Sequence, residues 1–437
     1  MKKKEISMNL PLSREIGELN NTIKRLKQEY VQLWWEIDSS IPPFFKTYSL
    51  KEQKEIEKEV SHFVEKIFDY IEQRLPAQDE EGKDCLIPIS QTKQYLEKLF
   101  HITGIYIDDT FSNGFIRSTR IFLDRANAFD PSMEPENIYQ ALRNVWIMNI
   151  LQRYFNMEIG CSDSMFAYSM LYPYTDNIID DVSLPLAKKL QMNRNLRERL
   201  EGKPYPKGTG IEKKLDALIT LIEEEFPRDK FPVVFQSMLG IYNAQVNSLI
   251  QQGEDLPPYV IDIPGISLEK GGTSVLADGY LIKGELNETQ EDFCFGLGAF
   301  LQLADDIQDI VPDKTNRHLT LFSQVAGKYK TDALANKLFH YISMIVERGL
   351  ADPVLKNLRE LIHKSFYFHI IEAVGKNREL YTDRYIKELQ AHFPFRFSFL
   401  KKLRKKLNKL LLKQKKRTFK LDIVSAGLMA MSSRLYE

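Results

Sequence analysis

The chain has 437 residues, enough for one large helical domain or two ordinary ones. Its 60 Lys and Arg balance 60 Asp and Glu, so the formal net charge is 0 and no global charge points to a nucleic-acid partner. Cys85, Cys161 and Cys294 are widely spaced, with no Cys/His ligand pattern, which argues against structural zinc.

Helical periodicity dominates, and strand-like alternation is rare and short. The basic start, MKKKEISMNLPLSRE, has no apolar stretch behind it and does not read as a signal peptide. Residues 13–38 predict an amphipathic helix with Ser13 as N-cap and Glu15 at its positive end. IPPFF breaks it, residues 51–74 predict a second helix, LPAQDEEGKD reads as a loop, and residues 91–100 again read as helical. In FDPSMEPENIYQALRNVWIMNILQRYF a loop gives way to a long helix announced by Ser132, Pro135 and Glu136. Residues 162–182 carry a first acidic cluster, with Pro173 expected to kink the helix ahead of Asp176. EGKPYPKGTG is a linker, and residues 211–225 and 232–251 predict two more helices. In ISLEKGGTSVLADGYLIKG, Gly271 and Gly272 are expected to unwind a turn after Lys270. A helix over residues 288–311 carries a second acidic cluster, and helices continue past Asp332. The tail LKKLRKKLNKLLLKQKKRTFK is a basic amphipathic helix that either docks its leucines on the body or lies on anionic lipid. No apolar run approaches bilayer length, so the expectation is a cytoplasmic protein, at most touching a membrane surface.

The chemistry concentrates in the two acidic clusters. YTDNIIDD carries Asp176, Asp180 and Asp181; LGAFLQLADDIQDIVPD carries Asp305, Asp306, Asp309 and Asp313. Spacings of four residues put carboxylates on one helix face inside apolar and aromatic surroundings. Like charges bunched there repel unless cations neutralise them, and two such faces across a cavity suit hard divalent cations. Solvated helix ends are the bland alternative for either cluster alone.

Together the two motifs resemble those of a known family. DNIIDD resembles the first acidic motif of squalene and phytoene synthases, and LGAFLQLADDIQD resembles the second motif of trans-prenyl diphosphate synthases, with Leu301 where that family has Phe. With EKGGTSVLADGYL between them, the set is most similar to the class IB large terpene synthases of the tetraprenyl-β-curcumene synthase type, over roughly residues 100–400. The resemblance implies an all-α class I isoprenoid synthase bundle: two Asp-rich helices facing one another over a deep apolar cavity. It implies a cofactor of three magnesium ions and a prenyl diphosphate ionised to an allylic cation, then eliminated or cyclised. Carried over, Asp176, Asp180, Asp305 and Asp309 are catalytic metal ligands, and Asp181, Asp306 and Asp313 complete or support the set. Lys270, Lys314, Arg317 and Arg194 are the candidates for diphosphate contact, each with an ordinary surface role as its alternative. Trp146, Phe166, Tyr168, Tyr172 and Tyr174 are candidate cavity lining, with core packing as theirs.

The implied organisation is an accessory helical layer over 1–100, a catalytic body over 101–398 and a basic helix and tail over 399–437. The absence of an Arg-Arg pair after Asp181 favours a single-substrate reaction over chain elongation, although Lys188 and Lys189 stand nearby. The alternatives are coupling of two prenyl diphosphates, a di-iron bundle and a non-catalytic helical module. A di-iron site needs two Glu-x-x-His pairs, and only Glu360 with His363 fits.

Overall fold

A computed structural model describes residues 17–74, 94, 97, 104, 106, 108–180, 186–204, 210–252 and 261–415. The described elements are all helical, with two isolated bridges and no strand among them. In chain order they are α1 (Glu18–Glu36), α2 (Leu50–Arg74), α3 (Asp109–Phe129), α4 (Pro135–Tyr154), α5 (Asp163–Asp180), α6 (Leu186–Leu200), α7 (Ile211–Glu225), α8 (Pro232–Ser248), α9 (Ile263–Lys283), α10 (Glu288–Gln308), α11 (Ile310–Thr315), α12 (Asp332–Gly349), α13 (Lys356–Lys376), α14 (Asp383–Ala391) and α15 (Phe397–Lys415).

The antiparallel pair α9–α10 is the axis of the molecule. Asp262 caps α9, accepting from the Gly265 N–H at 3.0 Å, and Asn287 with Gln290 forms a capping box at the start of α10. Gly271 and Gly298 face each other where the helices cross. A Cβ on either would collide with the other's backbone carbonyl, and one on Gly272 would meet the Phe295 ring. The glycines therefore permit close helix contact, and α9 runs unbroken through them. The expected unwound turn after Lys270 is corrected on this point: removing Cβ atoms lets two backbones approach without requiring a non-helical φ.

α1 buries Leu19, Ile23, Leu26, Tyr30 and Trp34, a stripe at helical spacing that packs into the same core as α9 and α10. Tyr30 donates to the Asp292 carbonyl at 2.9 Å, and Lys27 pairs with Glu269 at 2.8 Å. The helix begins at Glu18, so Ser13 as its cap lies outside the described residues. Cys85 and most of residues 91–100 lie outside them too.

α3 answers to no sequence expectation. Asp108 caps it by accepting from the Phe111 N–H at 2.8 Å, and Phe111, Phe122, Leu123 and Ala126 form its buried face. That cap and spacing were legible, but IDDTFSNGFIRSTR is polar enough between its rings to mask the period. α15 docks: Leu403 and Leu407 are buried, and Arg404 pairs with Glu372 on α13. α2 is pinned to the same region by the Glu57–Arg396 pair at 2.6 Å. No described helix is long and apolar enough to cross a membrane.

Candidate active site

α5 and α10 both run antiparallel to α9. Ser164 donates to the Leu281 carbonyl at 2.8 Å, while Tyr172 bonds to Ser274, which sets the direction of α5. Gly271 abuts Gly298 and Gln302, while Tyr280 bonds to Glu291, which sets that of α10. The acid-bearing ends of α5 and α10 consequently fall at the same end of α9. One turn past Tyr172, the backbone of Asp176 reaches the level of Lys270. The side chains of Asp176 and Asp180, and Asp181 as a whole, lie outside what the structure describes.

The second cluster is described in full. α10 ends at Gln308, Asp309 adopts φ −101° and ψ 19°, and α11 restarts at Ile310. The single helix expected over 288–311 is thus two, and the straight face through Asp305, Asp309 and Asp313 is broken. Asn377 on the loop after α13 stabilises the break, donating to the carbonyls of Ile307 and Gln308 at 3.2 and 3.3 Å. The four acids have different surroundings. Asp305 sits on a cavity wall. Asp306 is buried; its Oδ1 accepts from Gln302 at 2.9 Å and its Oδ2 has no hydrogen-bond partner. Burial pushes the Asp306 carboxyl up to about 7 against the opposing Gln302 bond. Asp309 lies 3.9 Å from the Lys376 ammonium, and Asp313 lies 3.4 Å from the His318 ring. Among the described residues, no three His, Cys, Asp or Glu side chains come together as a metal-binding group.

The cavity beside Asp305 measures about 610 Å³. It lies between α3, α4, α10 and α13, and Phe115, Trp146, Ile150, Leu301 and Phe366 give it an apolar body. Its size suits a ligand of tens of heavy atoms. Its polar side chains are Glu97, Ser112, Arg143, Asp305, Gln308, Ser365 and His369, with the hydroxyl-bearing Tyr106 and Tyr139. The Gln308 amide nitrogen stands 2.8 Å from the His369 Nε2.

Of the candidate lining residues, Trp146 is on this cavity, held by its N–H bond to Thr119 at 3.0 Å. The others are not among its lining. Phe166 is buried against Phe122 and Phe129. Tyr168 and Tyr172 link their hydroxyls at 3.3 Å beside Ser274, and Tyr174 donates to Asp130 at 2.6 Å. The reason is the face of α5: its aromatic residues turn to α3, α7 and α9, and α4 screens them from the cavity. The candidate diphosphate contacts are dispersed. Lys314 donates to the Ala326 carbonyl at 2.9 Å, Arg317 is exposed at φ 55°, and Arg194 is exposed on α6. Lys270 is half-buried on α9. Arg143, on a helix upstream of both clusters and not among those four candidates, lines the cavity; its position three residues before Trp146 on α4 was the available signal.

No family model, curated protein or solved structure matches the chain.

Proposed function

We propose that the protein is a magnesium-dependent class I terpene synthase that ionises a linear prenyl diphosphate. One observation carries the reading: the acid-bearing ends of α5 and α10 fall at the same end of α9, and Asp305 at the α10 end sits on the wall of an apolar cavity. The donor chemistry fits the ion. Every acid in both clusters offers hard carboxylate oxygen, and the unpartnered buried oxygen of Asp306 is the kind of atom a cation satisfies. Asp176, Asp180, Asp305 and Asp309 would hold magnesium, with Asp181, Asp306 and Asp313 around them. When bound, magnesium supplies the positive charge that stabilises diphosphate as it leaves.

The chain's own residues do the rest. Phe115, Trp146, Ile150 and Phe366 keep water from the allylic cation, and the Trp146 ring offers it a negative π face. Proton loss from an adjacent carbon then ends the reaction, either directly or after a second double bond of the chain has attacked the cation and closed a ring. The lysines Lys401, Lys402, Lys405 and Lys409, exposed on the outer side of docked α15, suit an anionic lipid surface near such a lipophilic substrate.

The test is incubation of the full chain with magnesium and prenyl diphosphates of two to seven isoprene units. Diphosphate release from at least one is expected. Asp305→Asn should lower that release by about 100-fold or more, as removal of a charge-stabilising group does, with an unchanged helical spectrum. Silence of the wild type toward the whole panel would end the reading; a product of doubled chain length would move it to coupling of two substrates.

A further inference from the structure

The cavity carries one group that the acidic motifs do not explain. Arg143 on α4 is the one lysine or arginine among the described residues lining it. Its Nε is buried and has no hydrogen-bond partner. Its guanidinium stands 5.9 Å from the Tyr139 ring centroid, a contact that orients the planar fork without using its N–H groups. A buried, unsatisfied N–H of a charged group is costly in an empty cavity and is relieved by an acceptor arriving with the ligand. Asp305 and Gln308 line the same space, whose remaining wall is mostly aromatic and aliphatic. An occupant that fits has an apolar chain and an anionic head of phosphate-like geometry.

We propose that Arg143 binds the anionic head of the cavity's occupant, through paired N–H donation to two oxygens of a phosphate group. Resting on the terpene synthase reading, it assigns to Arg143 the diphosphate contact for which Lys270, Lys314, Arg317 and Arg194 were the candidates. Guanidinium suits this better than ammonium, because its fork matches two phosphate oxygens at once. Arg143 holds the head while the chain lies against the apolar wall that includes Trp146 and Phe366.

Binding without turnover tests this apart from catalysis. The probes are a prenyl thiolodiphosphate, whose carbon–sulfur bond resists ionisation, and the uncharged prenyl alcohol of equal length. Affinities for the full-length protein are measured by calorimetry in magnesium-containing buffer. Arg143→Gln should weaken the thiolodiphosphate by about tenfold or more and leave the alcohol within about twofold, as expected for one charge-assisted bond pair. Arg143→Lys should fall between, and it serves as the decisive variant if the glutamine form does not fold. Unchanged thiolodiphosphate affinity in both variants would overturn the assignment while leaving the synthase reading intact. Equal weakening of both probes would make Arg143 a packing residue and overturn it as well. A wild type that binds neither probe would remove both the assignment and the reading beneath it.

Discussion

Asp278 sets the residue-scale argument. It is fully buried on α9, where Asn144 donates to its Oδ1 at 2.9 Å and its Oδ2 has no hydrogen-bond partner. Burial raises its carboxyl well above the ordinary value, opposed by the Asn144 bond. Below about pH 4 the unfolded chain also holds this proton, so there is no penalty. As pH rises, the unfolded chain releases the proton and the folded chain keeps it, so folding must take one up. Stability from this group therefore declines with rising pH from about 4 through the raised folded value. Asp278→Asn, which retains an acceptor for Asn144, should flatten that decline. Denaturant titrations at pH 4.5 and 8 are expected to show the variant gaining on the wild type only at the higher pH; parallel pH profiles would refute it. Asp130 shows the opposite balance: burial would raise it, but bonds from Lys214, Tyr174 and Ser132 hold it at about 2.

At the scale of elements, the α9–α10 crossing decides where the acids go. Gly271 and Gly298 let the two helices approach closely, and Asp305 lies on the cavity about two turns further along α10. Gly298→Ala forces a methyl against the Gly271 carbonyl, and a backbone carbonyl cannot swing aside as a side-chain tip can. The cost is expected at about 1–3 kcal/mol, read as a lower midpoint in denaturant, despite the better intrinsic helix propensity of alanine. A midpoint at or above that of the wild type would mean the crossing tolerates spreading. The sequence showed the two glycines of EKGGTSV, but one helix alone does not reveal whether Gly-Gly unwinds it or receives a neighbour. The partner, Gly298, stands 27 residues on, and only the crossing pairs them. The break at Asp309 was equally hidden, because the carbonyls it frees are met by Asn377, distant in sequence.

At the scale of the whole molecule, one continuous core joins α1 to the body. Leu26, Tyr30 and Trp34 share it with Phe295 and Tyr341, the Tyr30 ring standing 5.7 Å from Phe295 and 6.1 Å from Tyr341. Residues 1–100 were read as an accessory layer outside the stretch the resemblance covers, but an amphipathic stripe does not say what covers it. A chain beginning at residue 101 would expose the α9 face that α1 covers. It should be recovered as aggregate, or as a soluble form without a cooperative thermal transition; a sharp melt near that of the full chain would show that the first hundred residues are dispensable.

The sequence by itself determined the helical class, the positions of most helices, and the concentration of carboxylates on two of them. Those features follow from periodicity, caps and breakers acting over a few residues, so a local reading suffices. The tertiary structure decided which faces meet. α3, α4, α10 and α13 line the cavity, Trp146 reaches it while Phe166 and Tyr174 do not, and Arg143 and Asp305 both lie on its wall. Helix rotation and crossing are set by packing between residues far apart in the chain, and no local pattern carries that information.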